Sequence, residues 1–164
     1  MNLNWKRSVV AASGLMLIII AVLFEPVIFG GKTFGSPDSL SPKAIGIALN
    51  DVLEKSGEFP QWQPWVFSGM PTAEAFTHLS KLYFPEYIFK LFFLPGMMIQ
   101  LLHLLFAGIG GFLMLRHFKC SEWAAGLGAT AFMITPYMVT MVVFGHGSQM
   151  MTAAYIPWIL WFSV

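Results

Sequence analysis

The stretch MMIQLLHLLFAGIGGFLML, residues 97–115, decides the class of this protein. It contains no charged residue, and as an α-helix it reaches about 28 Å, close to the hydrocarbon thickness of a bilayer. The rest of the chain has a similar character, with 57% hydrophobic residues, 10% charged residues and a mean hydropathy of +0.69. Soluble domains carry roughly a quarter charged residues. The sequence therefore predicts an all-α integral membrane protein.

Three further segments are predicted to span the membrane: residues 9–29, 123–144 and 150–164. A kink is expected at Pro136, because proline removes a backbone hydrogen bond from a helix interior. The last segment reaches only about 22 Å and no basic residue follows it. We therefore expect the chain to be the N-terminal part of one transmembrane domain, with further transmembrane helices on its C-terminal side as partners.

Small residues in the middle of two of these spans predict close packing of helices. They include Gly108, Gly110 and Gly111 in one span and Gly126 and Ala129 in the next. Small side chains let helix backbones approach one another in a membrane. These glycines are therefore assigned to packing rather than to a nucleotide site, because no strand precedes them.

The basic residues at the ends of the spans predict the orientation of the chain. Lys6, Arg7, Arg116 and Lys119 fall on one side of the membrane if the spans alternate in direction. The positive-inside rule assigns that side to the cytoplasm. The N-terminus is then cytoplasmic, and the loop of residues 30–86 lies outside together with the turn between the last two spans.

The outer loop is predicted to be structured, since it mixes most of the acidic residues with proline, glycine and aromatic residues. Ser41-Pro42 has the pattern of an N-cap followed by a first helical residue, and Gly57 has that of a C-terminal cap. These signals predict a short amphipathic helix. The segment FPQWQPWVFSGMP, residues 59–71, is expected to be irregular because of its prolines, and to lie at the membrane interface, where tryptophan is favoured.

Several classes of function are disfavoured by the sequence. The net charge is +1 and the basic residues are scattered, whereas nucleic-acid binding needs a clustered basic face. The chain has no Walker loop, zinc-ligand spacing, nucleophile elbow or dinucleotide fingerprint. Cys120 is the single cysteine, so no disulfide can form within the chain.

A few polar residues could carry chemistry. Asp38 is either a turn residue or an outer-face carboxylate that can accept a proton or hold a divalent cation. His146, between two glycines, either faces solvent or binds a phosphate or a metal. Gln100 and His103 share one face of a span, where they form interhelical hydrogen bonds or, with Glu25, line a path through the membrane.

With these residues in place, the chain resembles the N-terminal part of the YfhO-like family of bacterial multi-pass membrane proteins, which look like GT-C-type glycosyltransferases. The resemblance rests on ordered pieces that cover nearly the whole chain from Pro37 onward. These pieces are GEFPQW (57–62), FSGMP (67–71), YFP (83–85), His103, Gly145-His146 and AAYIP (153–157).

The resemblance implies a GT-C-like helical bundle in the bacterial cytoplasmic membrane that transfers a sugar from a polyprenyl-phosphate carrier to an outer-face cell-envelope acceptor. Asp38 and His146 occupy the family's acidic and Gly-His positions and are the predicted catalytic residues, with a divalent cation at Asp38 as a candidate cofactor. The predicted substrate-binding residues are Lys43, Trp62, Trp65, His103 and Gln149. Relatives often have a lysine where this chain has Gln149. The alternative functions are a non-catalytic lipid or polysaccharide translocator and a membrane scaffold subunit.

The predicted topology can be tested by thiol labelling of intact cells. Single cysteines at Ser56 and Ser148, placed in a Cys120→Ser background, are expected to react with a membrane-impermeant reagent because both positions lie outside. Native Cys120 is expected to stay unlabelled. Labelling of Cys120 with protection of both other positions would invert the topology.

Overall fold

The computed structural model describes residues 3–72, 84–93 and 95–164. These residues are mostly helical, with one short pair of strands. The elements are α1 (Leu3–Leu23), α2 (Glu25–Ile28), α3 (Pro37–Ser56), β1 (Trp62–Gln63), β2 (Met70–Pro71), α4 (Phe84–Leu91), α5 (Gly96–His117), α6 (Glu122–Met133), α7 (Pro136–Val143), α8 (Gly147–Ala153) and α9 (Ile156–Ser163).

The chain divides into two compact units. The helical unit consists of Met1–Phe34 and Pro95–Val164, and the loop unit of Gly35–Leu94. The loop unit corresponds closely to the outer loop predicted from the sequence. Tyr83, part of the YFP piece on which the predicted family resemblance rests, lies outside the described residues.

Three helical stretches of the described chain are long and apolar enough to cross a membrane. They are Trp5–Leu23 within α1, Gly96–His117, which is α5, and Glu122–Val143, which contains α6 and α7. The predicted all-α class is confirmed, and the three stretches indicate a membrane protein. The expected kink is found as a break between α6 and α7, and the Thr135 hydroxyl oxygen accepts a hydrogen bond from the Met138 N–H at the start of α7.

Two predicted spans differ from the helices observed. The first was placed at residues 9–29, but α1 ends at Leu23 and a separate turn of helix, α2, follows with Pro26 near its start. The segment 150–164 contains α8 and α9 with a break between them, and Pro157 stands in the first turn of α9. In both places a proline lacks the N–H that a continuous helix requires and its ring collides with the preceding turn. Apolar length alone did not reveal these breaks.

The core of the helical unit is built around α5, which contacts α1, α6, α8 and α9. Leu101, Leu104, Ala107 and Phe112 of α5 are buried in it. The partner helices contribute Met16 and Ile20 of α1, Ala125, Ala129 and Met133 of α6, and Met150 and Ala154 from the α8 region. Such an all-round contact explains why α5 is apolar on every side.

The glycines of α5 permit these contacts, as the sequence predicted. A Cβ at Gly111 would lie 3.4 Å from Cα of Ala129, and one at Gly108 would lie 2.8 Å from Sδ of Met16. A Cβ at Gly110 would lie 2.6 Å from Cδ1 of Trp158. Gly126 behaves differently, because a Cβ there would meet no atom within 4 Å. The packing role predicted for Gly126 is therefore not found within the described residues.

A polar cluster joins α1, α5 and α6 at one end of the helical unit. The Ser8 hydroxyl donates a hydrogen bond of 2.7 Å to Oε1 of Glu122, and Nη2 of Arg116 lies 3.8 Å from the same oxygen. The Arg116 guanidinium lies over the ring of Trp5 at 5.8 Å. Ser121 caps α6, since its hydroxyl oxygen accepts a hydrogen bond from the Ala124 N–H. These contacts fix the ends of three helices.

The helix of the loop unit begins earlier than predicted. Its N-cap is Ser36 and its first turn contains Pro37, rather than Ser41 and Pro42. The two Ser-Pro pairs carry the same N-cap signal, and the first of them starts the helix. At the other end, Gly57 caps α3 in the left-handed conformation with a φ of 74° and donates its N–H to the Leu53 carbonyl, as predicted.

The sequence predicts that the segment 59–71 is irregular, but the structure shows a short pair of strands within it. β1 and β2 form an antiparallel pair in which Trp62 faces Pro71 and Gln63 faces Met70. Six residues connect the strands, and the last three of them, Phe67, Ser68 and Gly69, have positive φ. The prolines do not prevent this pairing because a strand pair of two residues needs few backbone donors. The segment is a short hairpin.

The role of Gly110 can be tested by comparing Gly110→Ala with Gly126→Ala. The first change is expected to destabilise the protein by about 1–3 kcal/mol, because the added methyl displaces the packed Trp158 ring. The second is expected to be neutral or stabilising by up to about 1 kcal/mol, because alanine has the higher helix propensity. Thermal unfolding in detergent measures both. Equal midpoints for the two variants would contradict the packing assigned to Gly110.

Candidate functional site

Asp38 lies in the first turn of α3 with an exposed side chain. It follows the Ser36 cap and Pro37, so it belongs to the helix and not to a turn before it. The partial positive charge of a helix N-terminus favours a negatively charged side chain at this position. The ionised carboxylate is the form that accepts a proton or binds a cation. An exposed carboxylate at this position is accessible to a substrate or a cation from solution.

Lys43 does not converge on Asp38. Both side chains are exposed on α3, but they are five residues apart. Five residues at 3.6 residues per turn correspond to a rotation of about 140° around the helix axis. The structure thus places the predicted base and the predicted phosphate-attracting lysine on different faces of the same helix.

The hairpin brings together the two loop pieces of the family resemblance, GEFPQW (57–62) and FSGMP (67–71), because Trp62 pairs with Pro71. The Trp62 side chain lies against Gly69, where a Cβ would be 2.7 Å from Cζ2 of the indole. Trp65 and Phe67 are exposed, and Trp62 keeps part of its ring accessible. No residue from Phe59 to Thr72 is charged. The hairpin therefore presents uncharged aromatic surface, which can contact the apolar face of a sugar or a lipid interface.

The polar pair on α5 lies inside a candidate membrane span. His103 is buried, and its Nδ1 is 2.7 Å from the carbonyl oxygen of Ile99. Because a carbonyl can only accept, Nδ1 carries the proton in this hydrogen bond. The imidazole also contacts the rings of Phe106 and Tyr155 at centroid distances of 6.4 and 6.2 Å. His103 is thus fixed in orientation by one hydrogen bond and two aromatic rings.

His146 immediately precedes α8 and is partly buried. Gly145, with a φ of 92°, turns the chain before it, and the His146 N–H donates a hydrogen bond of 2.8 Å to the Met141 carbonyl. The His146 carbonyl in turn accepts from the N–H of Gln149, whose side chain is exposed. The backbone around His146 is therefore well defined by hydrogen bonds.

The turn at His146 packs onto the polar face of α5. Gly147 is buried, and a Cβ there would lie 2.8 Å from Oε1 of Gln100. Gln100 is one turn before His103 on α5. The structure therefore brings together two features that the sequence had singled out separately: the Gly-His turn and the pair of Gln100 and His103 on α5.

An aromatic groove of about 620 Å³ adjoins this polar face. It is lined by Phe106, Tyr155, Trp158, Ile159, Phe162 and Ser163. The Trp158 indole stacks on Phe106 at 4.6 Å and donates a hydrogen bond of 2.9 Å to the Phe106 carbonyl. Since Phe106 and Tyr155 also contact His103, the groove and the buried imidazole share two walls. A groove of this kind can accept a hydrocarbon chain.

Sequence reasoning did not select Tyr155 or Trp158 as site residues. Tyr155 stands in the AAYIP stretch that supports the family resemblance, so a signal was present there. Trp158 gave no signal beyond its aromatic character. Its position depends on Gly110, which stands 48 residues earlier in the chain.

The described residues contain no group of three or more His, Cys, Asp and Glu side chains arranged to hold a metal ion. Asp38 supplies one carboxylate. Mg²⁺ can be bound by one or two carboxylates when substrate phosphates and water complete its coordination. Asp38 therefore fits a cation role only in company with a phosphorylated substrate.

Comparisons of the chain with protein-family models, with curated proteins and with solved structures find no match. Membership of the YfhO-like family therefore stays a prediction from the sequence.

The contact between Gln100 and Gly147 can be tested by a double-mutant cycle. Gly147→Ala is expected to destabilise the protein modestly, because the new methyl displaces the Gln100 amide. In a Gln100→Ala background the same change should be less destabilising, with a coupling free energy of about 0.5–1 kcal/mol. Thermal unfolding of the four proteins in detergent gives this value. Additive effects would show that the turn and α5 are not in contact here.

Proposed function

We propose that this chain is part of a membrane glycosyltransferase that transfers a sugar from a polyprenyl-phosphate carrier to an outer-face acceptor of the bacterial cell envelope. The observation that carries the proposal is the position of Asp38. Its carboxylate is exposed in the first turn of α3, only fifteen residues after Leu23, where the first candidate span ends. A carboxylate so close in sequence to a membrane-spanning helix is within reach of the head group of a lipid carrier.

The chemistry that Asp38 would perform is general-base catalysis. Its carboxylate accepts the proton of the acceptor hydroxyl while the hydroxyl oxygen forms a bond to the anomeric carbon of the sugar. The bond from that carbon to the phosphate oxygen breaks, and its electron pair leaves with the polyprenyl phosphate. A phosphate is already a good leaving group, so this step needs no strong general acid. Attack from the face opposite the phosphate inverts the anomeric configuration.

The hairpin and the aromatic groove support a lipid-linked sugar as the donor. Trp62 and Trp65 are exposed in a stretch that contains no charged residue, and aromatic ring faces can pack on the C–H face of a sugar. The groove beside Phe106, Tyr155 and Trp158 is almost wholly apolar and suits a polyprenyl tail. His146 and Gln149 offer polar groups in the predicted outer turn for the phosphate.

A translocator is the second candidate, and a different observation favours it. Gln100 and His103 place polar groups within the candidate span α5, and buried polar groups in a membrane often mark the path of a substrate. Glu25, the third residue predicted to line this path, is exposed at the start of α2. In this alternative the loop unit would control access to the path without performing chemistry.

Asp38→Asn tests the proposal directly, because the amide keeps the shape of the side chain but cannot act as a base. Sugar transfer from a polyprenyl-phosphate donor is expected to fall by about a hundredfold or more. The assay uses the full-length protein in isolated membranes, normalised to the amount of protein.

Asp51→Asn is the matched control, since Asp51 is exposed on the same helix and pairs only with Lys55 among the described residues. Its transfer rate should be close to that of the wild type. Wild-type transfer by Asp38→Asn would show that Asp38 is not the base. Loss of lipid movement in Gln100→Leu, with Asp38→Asn fully active, would favour the translocator.

A further inference from the structure

The helix α4 carries a continuous apolar face that is open to its surroundings. Phe84, Tyr87, Ile88 and Leu91 are 70%, 52%, 44% and 74% exposed. Their spacing of three, four and seven residues places all four on one side of the helix. We call these four residues the apolar stripe. Phe92 and Phe93, which follow directly, are also exposed.

An exposed apolar stripe of this kind is expected to contact another apolar surface. Soluble proteins rarely leave contiguous apolar surface in water, and such patches usually mark contact with a partner or a membrane. Single exposed apolar residues are ordinary, but four at helical spacing followed by two phenylalanines are not. The question is therefore which apolar medium is close enough to cover the stripe.

The connection to α5 answers this question. Four residues separate Leu91 from Gly96, where a candidate membrane span begins. Even a fully extended connection of this length reaches only about 18 Å. Since α5 must enter the bilayer at this end, the interfacial region lies within that distance of the end of α4. The bilayer surface is thus an apolar medium that the chain itself holds close to the stripe.

The backbone between the two helices shows that α4 is a separate element. Phe93 has a φ of 54°, and a residue in the left-handed region ends a helix. Pro95 is the N-cap of α5, and its ψ of 147° is not helical. α4 is therefore a separate helix and not an extension of the span.

We propose that α4 is an interfacial helix whose apolar stripe inserts into the boundary between head groups and acyl chains of the bilayer. Helices of this type lie in the plane of the membrane with the apolar face about 5–10 Å into this boundary. Tyr87 suits such a position because its ring is apolar and its hydroxyl can reach water. The ligand of this surface is the lipid bilayer itself, and the inference holds whether or not the protein transfers a sugar.

Spin labels on the full-length protein test this proposal in vesicles of phosphatidylethanolamine and phosphatidylglycerol. In a Cys120→Ser background, labels are placed on the stripe by Tyr87→Cys and Leu91→Cys. Two exposed positions serve as references: Ile18→Cys within the span of α1, and Glu58→Cys in the charged part of the loop unit. The accessibility of each label to oxygen and to a water-soluble nickel chelate is measured.

The stripe labels are expected to show an oxygen-to-nickel accessibility ratio several-fold above that of Glu58→Cys and below that of Ile18→Cys. This ratio corresponds to a depth of about 5–10 Å. A ratio equal to that of Glu58→Cys would place the stripe in water and overturn the proposal. Exclusion of both reagents would show that protein covers the stripe and would overturn it equally. If either variant assembles poorly, Ile88→Cys on the same face gives the same reading.

Discussion

Three glycines in the middle of α5 leave the backbone of that helix bare on the sides that face its neighbours. Ala129 approaches Gly111, Met16 approaches Gly108, and the indole of Trp158 covers Gly110. Lipid tails are as apolar as leucine, so helices in a membrane gain little from hiding apolar side chains and depend on close van der Waals contact instead. The helical unit is organised by this contact, because α1, α6 and α9 each reach α5 at one of these glycines. The position of the aromatic groove follows from it too, since Trp158 forms one of its walls.

The sequence predicted most of the architecture because the strongest signals are lengths. A run of apolar residues about as long as a bilayer is thick indicates a helix whatever its tertiary environment. Apolar length does not predict where a helix ends, because a single proline can end one helix and begin the next. Pro26 and Pro157 each divide a segment whose hydrophobicity looks continuous, and the two Ser-Pro pairs before α3 could not be ranked from their pattern. The hairpin was missed for a related reason, because its turn uses three residues in the left-handed region and only one of them is glycine.

Some residues of the candidate site could be predicted from their local sequence, whereas others depend on contacts between distant parts of the chain. Asp38 and His146 were selected from their local sequence and from the family resemblance, and the structure places Asp38 in the first turn of α3 and His146 at the N-cap of α8. The contact between Gln100 and Gly147 could not be predicted, since it joins residues 47 positions apart and depends on the direction in which α8 leaves its turn. Tyr155 and Trp158 gain their importance from the same distant packing. Their residue type alone did not indicate that they line the groove, because their places in it follow from contacts with His103 and Phe106.

The contact between Trp62 and Gly69 has a consequence for how this loop can change over evolution. The indole occupies the space that any side chain at Gly69 would need, so a larger residue at position 69 requires a smaller residue at position 62 as well as a different backbone conformation. Gly69 also has a φ of 114°, which most other residues cannot adopt. The two positions should therefore be inherited together among related sequences, as one unit. A homologue that lacks the tryptophan is expected to have lost the requirement for this close approach, and with it one of the three exposed aromatic rings of the hairpin, Trp62, Trp65 and Phe67.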